Sequence, residues 1–203
     1  MKKIILFGAG GHCKSCIEII ENSSEYIIEY ILDINPIKKK IHKKYKIINE
    51  KKFKTFKASV KFGFVTLGQI KSYLNRKEIF DKLEKNNFRI PTLISSNSYI
   101  SKYSKINKGS IIMNFAYIGP SVKVGKNCII NNRALIEHDS TIKDHCHIST
   151  GAIVNGNVKV GSGTFIGSGV ILKNGISIGK NCIIGAGSII KTNIKDNSII
   201  KEN

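Results

Sequence analysis

A six-residue aliphatic repeat governs what the second half of this chain can fold into. From Ile94, every sixth residue is Ile, Val or Leu: Ile100, Ile106, Ile112, Ile118, Val124, Ile130, Ile136, Ile142, Ile148, then Val154, Val160, Ile166, Leu172, Ile178, Ile184 and Ile190. Seventeen consecutive anchors without an insertion mark a solenoid, in which each short unit buries its apolar side against its neighbours. Four residues past each anchor stands a small or modest residue, among them Ala116, Cys128, Ala134, Ser140, Cys146 and Cys182. Glycine directly follows six anchors, at 119, 125, 161, 167, 179 and 185, where close packing of successive turns favours a residue without Cβ. The period predicts flat strands joined by tight corners, an inward aliphatic stack, and coils hydrogen-bonded at about 4.8 Å. At three hexads per coil, the seventeen hexads make between five and six coils. The three cysteines fall in the small inward slot and read as core.

Ahead of Ile94 the period changes, which divides the chain into 1–90 and 91–203. Lys3 to Phe7 reads as a strand that runs into Gly8-Ala9-Gly10-Gly11-His12, followed by a helix from about Cys13 to Glu21. Ile27 to Leu32 reads as a second strand ending at Asp33, and Val60 to Thr66 as a third ending at Leu67-Gly68. A helix is expected from about Gln69 to Asn86. Strands alternating with helices imply a small parallel sheet with helices packed on it, a Rossmann-like α/β domain. The glycine-rich turn between strand and helix is the position for a phosphate at a helix N-terminus. Cys13 replaces the third glycine of the dinucleotide fingerprint, so half a site, for a mononucleotide diphosphate, fits better. Asp33 then stands where an acidic residue meets a ribose or base; the plainer reading is a glycine turn with a solvated carboxylate.

Composition removes several classes. A net charge of +19 invites nucleic acid, but of 33 basic residues only Arg76, Arg89 and Arg133 are arginine, and the lysines are spread along the chain. The densest run, from Lys38 to Lys57, reads as an electrostatic lure for anionic ligands. No apolar run is long enough for a membrane span or a signal peptide, so a cytoplasmic protein is expected. Five cysteines in that setting read as thiols, and the lone C-x-x-C of Cys13 and Cys16 has no second pair to complete a zinc site.

The motifs FGAGGH (7–12), LGQ (67–69), IEHDSTI (136–142), HIST (147–150) and GNVKVG (156–161) run in this order across nearly the whole chain. In this combination the sequence resembles the bacterial hexapeptide-repeat sugar acetyltransferases. That family holds the sialic-acid O-acetyltransferases and the nucleotide-amino-sugar N-acetyltransferases. The resemblance implies a left-handed winding of the β-helix and a homotrimer with active sites between adjacent β-helices. It implies acetyl-CoA as co-substrate and a nucleotide-linked amino sugar as acceptor, with uridine as the base chosen here. His138 maps onto the family's general base and Asp139 onto the acidic residue that orients it. His147 and Gly156 map onto the coenzyme A site, Gly156 offering an N–H to the thioester carbonyl. The front-domain motifs place Gly8, Gly10, Gly11, His12, Asp33 and Gly68 against the sugar nucleotide. No metal is implied. The chain departs from the pattern in lacking the glycine-proline-alanine-lysine tail, which leaves the adenine end of the cofactor site unassigned.

The repeat makes an independent check possible. His138 lies two residues past Ile136 and His147 five past Ile142, so neither occupies an inward slot and both should face outward. His145, three past its anchor, is expected to be incidental. Three rival readings stay open: O-acetylation of a sialic-acid-like sugar, a zinc enzyme on the same β-helix, and a non-catalytic solenoid.

Overall fold

The computed structural model describes residues 1–36, 39–53 and 59–202, and its contacts divide into two compact units. One holds Met1–Gly68 and Asn75–Pro91; the other holds Gln69–Leu74 and Thr92–Asn203.

In the front unit, β1 (Lys2–Phe7) is central, because its run of Ile4, Ile5, Leu6 and Phe7 is buried on both faces. It pairs in parallel with β2 (Tyr26–Asp33) and with β5 (Phe62–Val65). Two further strands extend the sheet beyond β2: β4 (Tyr45–Asn49), parallel to it, and β3 (Lys40–Ile41), antiparallel to β4. The order is therefore β3-β4-β2-β1-β5. The β3–β4 hairpin lies within the lysine-rich run read from sequence only as a charged patch. Its Ile41, Tyr45 and Ile47 are buried while the lysines between them project to water. Lys38 and residues 54–57 of that run lie outside the described residues.

The first helix, α1 (Gly11–Ser23), buries Cys13, Cys16, Ile17, Ile19 and Ile20 at helical spacing. Burial pushes the Cys13 thiol up to about 11 and the Cys16 thiol well above its usual value, so both stay protonated core residues. The second helix, α2, spans Leu74–Lys85 and not the predicted 69–86. Residues 69–74 instead group with the repeat unit, which explains the late start.

The repeat unit is a parallel β-solenoid in which two-residue strands pair with the strand eighteen residues on, shortening to sixteen in the last coil, where Ile183–Ile184 pairs with Ile199–Ile200. Three faces result. The first has six strands, from Tyr99–Ile100 to Ile189–Ile190; the second five, from Lys105–Ile106 to Ser177–Ile178; the third seven, from Leu93–Ile94 to Ile199–Ile200. Anchors from Ile112 to Ile190 form one continuous core together with the inward corner residues. Ile94, at the open end of the stack, is the exception and is exposed.

The corner residues are more than small. In the corner between the second and third faces, each inward side chain donates to a carbonyl of the next coil. Ser110 Oγ reaches the Gly125 carbonyl at 2.7 Å, Cys128 Sγ that of Lys143 at 3.1 Å, and Cys146 Sγ that of Gly161 at 3.1 Å. Thr164 Oγ1 reaches Gly179 at 2.7 Å and Cys182 Sγ reaches Lys195 at 3.1 Å. Hydroxyl and thiol are thus interchangeable here because the slot needs a small buried donor. The glycines after the anchors have the predicted cause: a Cβ on Gly161 would lie 2.5 Å from the carbonyl carbon of Gly179.

Candidate active site

The corner between the first and second faces carries His138. Ile136 ends the preceding strand inside the core, and the chain turns outward through Glu137, His138 and Asp139 before Ser140 points in again. Asp139 takes the left-handed conformation, φ +61°, which Asp tolerates better than most residues. That turn sets its carboxylate beside its neighbour: His138 Nδ1 lies 2.8 Å from Asp139 Oδ2. A carboxylate only accepts, so the proton sits on Nδ1 and Nε2 carries the free lone pair.

Nε2 faces Gly156, one coil on. A Cβ there would lie 2.6 Å from both Nε2 and Cε1 of His138, so any other residue would collide with the imidazole. Asn157 N–H donates to the His138 carbonyl and Gly175 N–H to the Gly156 carbonyl; among the described residues the Gly156 N–H takes no part in that ladder. An oriented imidazole acceptor, a cleared space and an uncommitted N–H therefore share one corner.

His147 does not reach solvent as expected. It points off the solenoid core, but only 7% of it is exposed, because residues 69–74 cover it. Its Nδ1 lies 2.6 Å from the Gln69 carbonyl and its ring meets Phe165 edge-on. The carbonyl fixes the proton on Nδ1, and Nε2 accepts from Asn131 Nδ2 at 3.2 Å. Asn131 was not singled out from the sequence; its place directly after the Ile130 anchor was the available signal. His145 is not incidental either. It is buried, bonds Asn127 Nδ2 through Nδ1 at 2.9 Å, and stacks on Tyr73 at 6.0 Å. Tyr73 passes over Gly163, where a Cβ would meet its ring at 2.5 Å, and Gln69 Nε2 donates to the Gly163 carbonyl at 3.0 Å. The three coil histidines serve three different surroundings, and among the described residues no group of three His, Cys, Asp or Glu is placed to hold a metal.

The front unit has its own cleft, about 480 Å³, at the carboxyl ends of β1 and β2. Gly10, Gly11 and Asp33 line it, together with Lys14, Lys40 and His42, to which the sequence assigns no role. Asp33 ties two loops together, accepting from Ala9 N–H at 2.8 Å and Asn35 N–H at 3.0 Å. Gly8, His12 and Gly68 are not in its lining. Gly8 is required by the backbone: its φ is +109°, and its carbonyl accepts from Thr66 Oγ1 at 2.7 Å.

Residues 103–138, 139–174 and 157–192 match the family model for bacterial transferase hexapeptide (six repeats). In front of the repeats, residues 3–83 match the PglD N-terminal domain. Solved structures share the fold along the length of the chain. A histidine variant of perosamine N-acetyltransferase from Caulobacter crescentus, in complex with CoA and GDP-perosamine, superposes with a TM-score of 0.93 at 22% identity, covering 100% of this chain and 94% of that one. The acetyltransferase domain of PglB from Neisseria gonorrhoeae, in complex with acetyl coenzyme A, gives 0.90 at 24% identity, covering 100% and 97%. WeeI from Acinetobacter baumannii gives 0.68 at 17% identity, covering 98% and 96%. No curated protein matches the sequence.

Proposed function

We propose that this chain is an acetyl-CoA-dependent N-acetyltransferase acting on a nucleotide-linked amino sugar. The observation that carries the reading is the Asp139–His138 pair with Nε2 open toward Gly156. Acetyl-CoA supplies the activated acetyl group. His138 Nε2 takes a proton from the sugar amine as nitrogen bonds to the acetyl carbon, and returns it to the departing sulfur. Asp139 holds the ring by Nδ1–H and stabilises the imidazolium formed in between. The Gly156 N–H is the donor for the thioester carbonyl, where negative charge develops. The resemblance also assigns His147 to the co-substrate; buried in a strand of the third face with both ring nitrogens bonded, it would act there by holding Gln69 and Asn131 in place. Similar structures bound to CoA and GDP-perosamine or to acetyl coenzyme A support this assignment.

The acceptor's nucleotide belongs in the front cleft, against Gly10, Gly11 and Asp33, with Gly8, His12 and Gly68 shaping the loops around it. Uridine is the base chosen here, and the acceptor class is a 4-amino-4,6-dideoxy sugar. The working unit is a homotrimer in the cytoplasm, where acetyl-CoA is available. The first face of the solenoid supports assembly: its outward row is Tyr99, Tyr117, Leu135, Ile153, Ile171 and Ile189, apolar throughout, with Tyr99 and Tyr117 stacked at 5.1 Å. Such a row suits a second copy of itself better than water. Among the described residues no helix is long and apolar enough to cross a membrane.

A coenzyme A release assay with 4-amino-4,6-dideoxy sugars linked to UDP, dTDP or GDP, and a sialic acid alongside, tests the proposal. Thiol release with one amino-sugar nucleotide is expected and names the base. Release with the sialic acid alone would overturn N-acetylation.

A further inference from the structure

The turn between β3 and β4 carries two large side chains on left-handed backbone. His42 has φ +49° and Lys43 φ +56°, so both central residues of the Ile41–Lys44 turn, within the three-residue loop between the strands, are left-handed. Such turns select Asn-Gly or Asp-Gly, because other side chains are strained there. The hairpin is held firmly all the same. Lys44 N–H donates to the Ile41 carbonyl at 3.2 Å, and Ile47 N–H to that of Lys39 at 2.9 Å. Tyr45 Oη and Lys44 Nζ both donate to Glu21 Oε1 on α1, at 2.6 and 2.9 Å. Strain that the surroundings over-determine in this way collects at functional positions.

What the strain achieves is visible in the cleft. His42 and Lys40 of the hairpin line one side, and Lys14 of α1 lines it with Gly10 and Gly11. Lys43, equally strained, is not in the lining. Three residues with nitrogen-bearing side chains, from α1 and from the hairpin, thus line one open space large enough for a nucleotide. Among the described residues no acidic side chain but Asp33 lines it, and both carboxylate oxygens of Asp33 are already bonded to backbone N–H groups.

We propose that Lys14, Lys40 and His42 form an anion clamp for the two phosphates of a nucleoside diphosphate, and that the strained hairpin exists to hold His42 in that clamp. This rests on the nucleotide-sugar reading and adds the residues that make the front cleft selective for a diphosphate. Charge-assisted bonds to phosphate oxygens are the strong kind, so a nucleoside diphosphate binds more tightly than the monophosphate of the same base.

Two substitutions separate strain from recognition. Glycine relieves a left-handed turn at either position. In His42→Gly the melting temperature should rise while affinity for the diphosphate falls about tenfold, the loss of one charge-assisted hydrogen bond. In Lys43→Gly the melting temperature should rise with affinity unchanged. The measurement is calorimetric titration of the full chain with UDP, GDP and dTDP and the matching monophosphates, beside thermal melts. If a diphosphate binds the wild type and His42→Gly equally well, the clamp is wrong and the nucleotide reading stands. If none of the diphosphates binds the wild type, both fall. A Lys43→Gly chain that loses affinity as His42→Gly does would show that the turn's shape, and not the imidazole, is what matters, and would also overturn the clamp.

Discussion

Gly161 in the solenoid and Gly63 in the front sheet both lack room for a side chain, for different reasons. A Cβ on Gly161 would strike the backbone of Gly179 in the next coil; one on Gly63 would strike Leu83 Cδ2, the end of a side chain, at 2.7 Å. In the solenoid the obstacle is the repeat itself, since the neighbour eighteen residues on is fixed by hydrogen bonds on every face. In the front unit the obstacle is a side chain from a helix, placed there by tertiary packing and able to turn. A solenoid is therefore rigid where its coils touch and free at its outward corners, whereas a layered domain spreads each strain over several elements.

That contrast can be broken, and the strongest attempt uses the outward corner. His138→Ala should lower acetyl transfer by about 10²- to 10⁴-fold, the usual worth of a general base. Its melting temperature should stay at the wild-type value, because the imidazole is exposed and supports no packing. A folded variant with full turnover would remove His138 from the mechanism. Next in size, Gly161→Ala should cost about 2–4 kcal/mol in urea unfolding, since two backbones must part. Gly63→Ala should cost about 1 kcal/mol, because Leu83 can shift. Equal costs would mean that coil spacing gives as easily as a leucine side chain.

A subtler probe is thiol reactivity. All five cysteines are buried, and Cys146 is pushed well above its usual range by desolvation. Ellman's reagent should therefore find no reactive thiol in the native protein and all five after unfolding; a thiol that reacts early would locate the looser unit. The smallest effect is expected at the hairpin anchor. The hydrogen bond from Tyr45, then that from Lys44, holds the Glu21 carboxyl below its ordinary value. A carboxyl depressed in the folded state contributes stability that is present above its unfolded pKa and lost as pH falls through the folded one. Stability of the wild type should decline slightly more than that of Glu21→Gln as the pH drops below about 4.5, in chemical denaturation at each pH.

Much of this was legible before any coordinates. The solenoid's core, its corner glycines and the outward placement of His138 all follow from counting, because each residue meets a partner at a constant distance along the chain. The hairpin was missed because Lys39, Lys40, Lys43, Lys44 and Lys46 hide Ile41, Tyr45 and Ile47, whose burial depends on a strand pairing that no local pattern announces. His147 was misjudged for a related reason. Periodicity gives the direction of a side chain off the core, but what lies over it is Gln69, 78 residues earlier.

That covering strap has a consequence in time. Contacts within the solenoid join residues about one coil apart, so each coil can close as it is made. Gln69 must wait for Gly163, 94 residues later, before its amide finds the carbonyl that holds it. At ribosomal speeds of about 5–20 residues per second, the wait is roughly 5–20 s. For most of it residues 69–74 are a tether without an anchorage, until His147, at the start of the fourth coil, offers its Nδ1 to the Gln69 carbonyl.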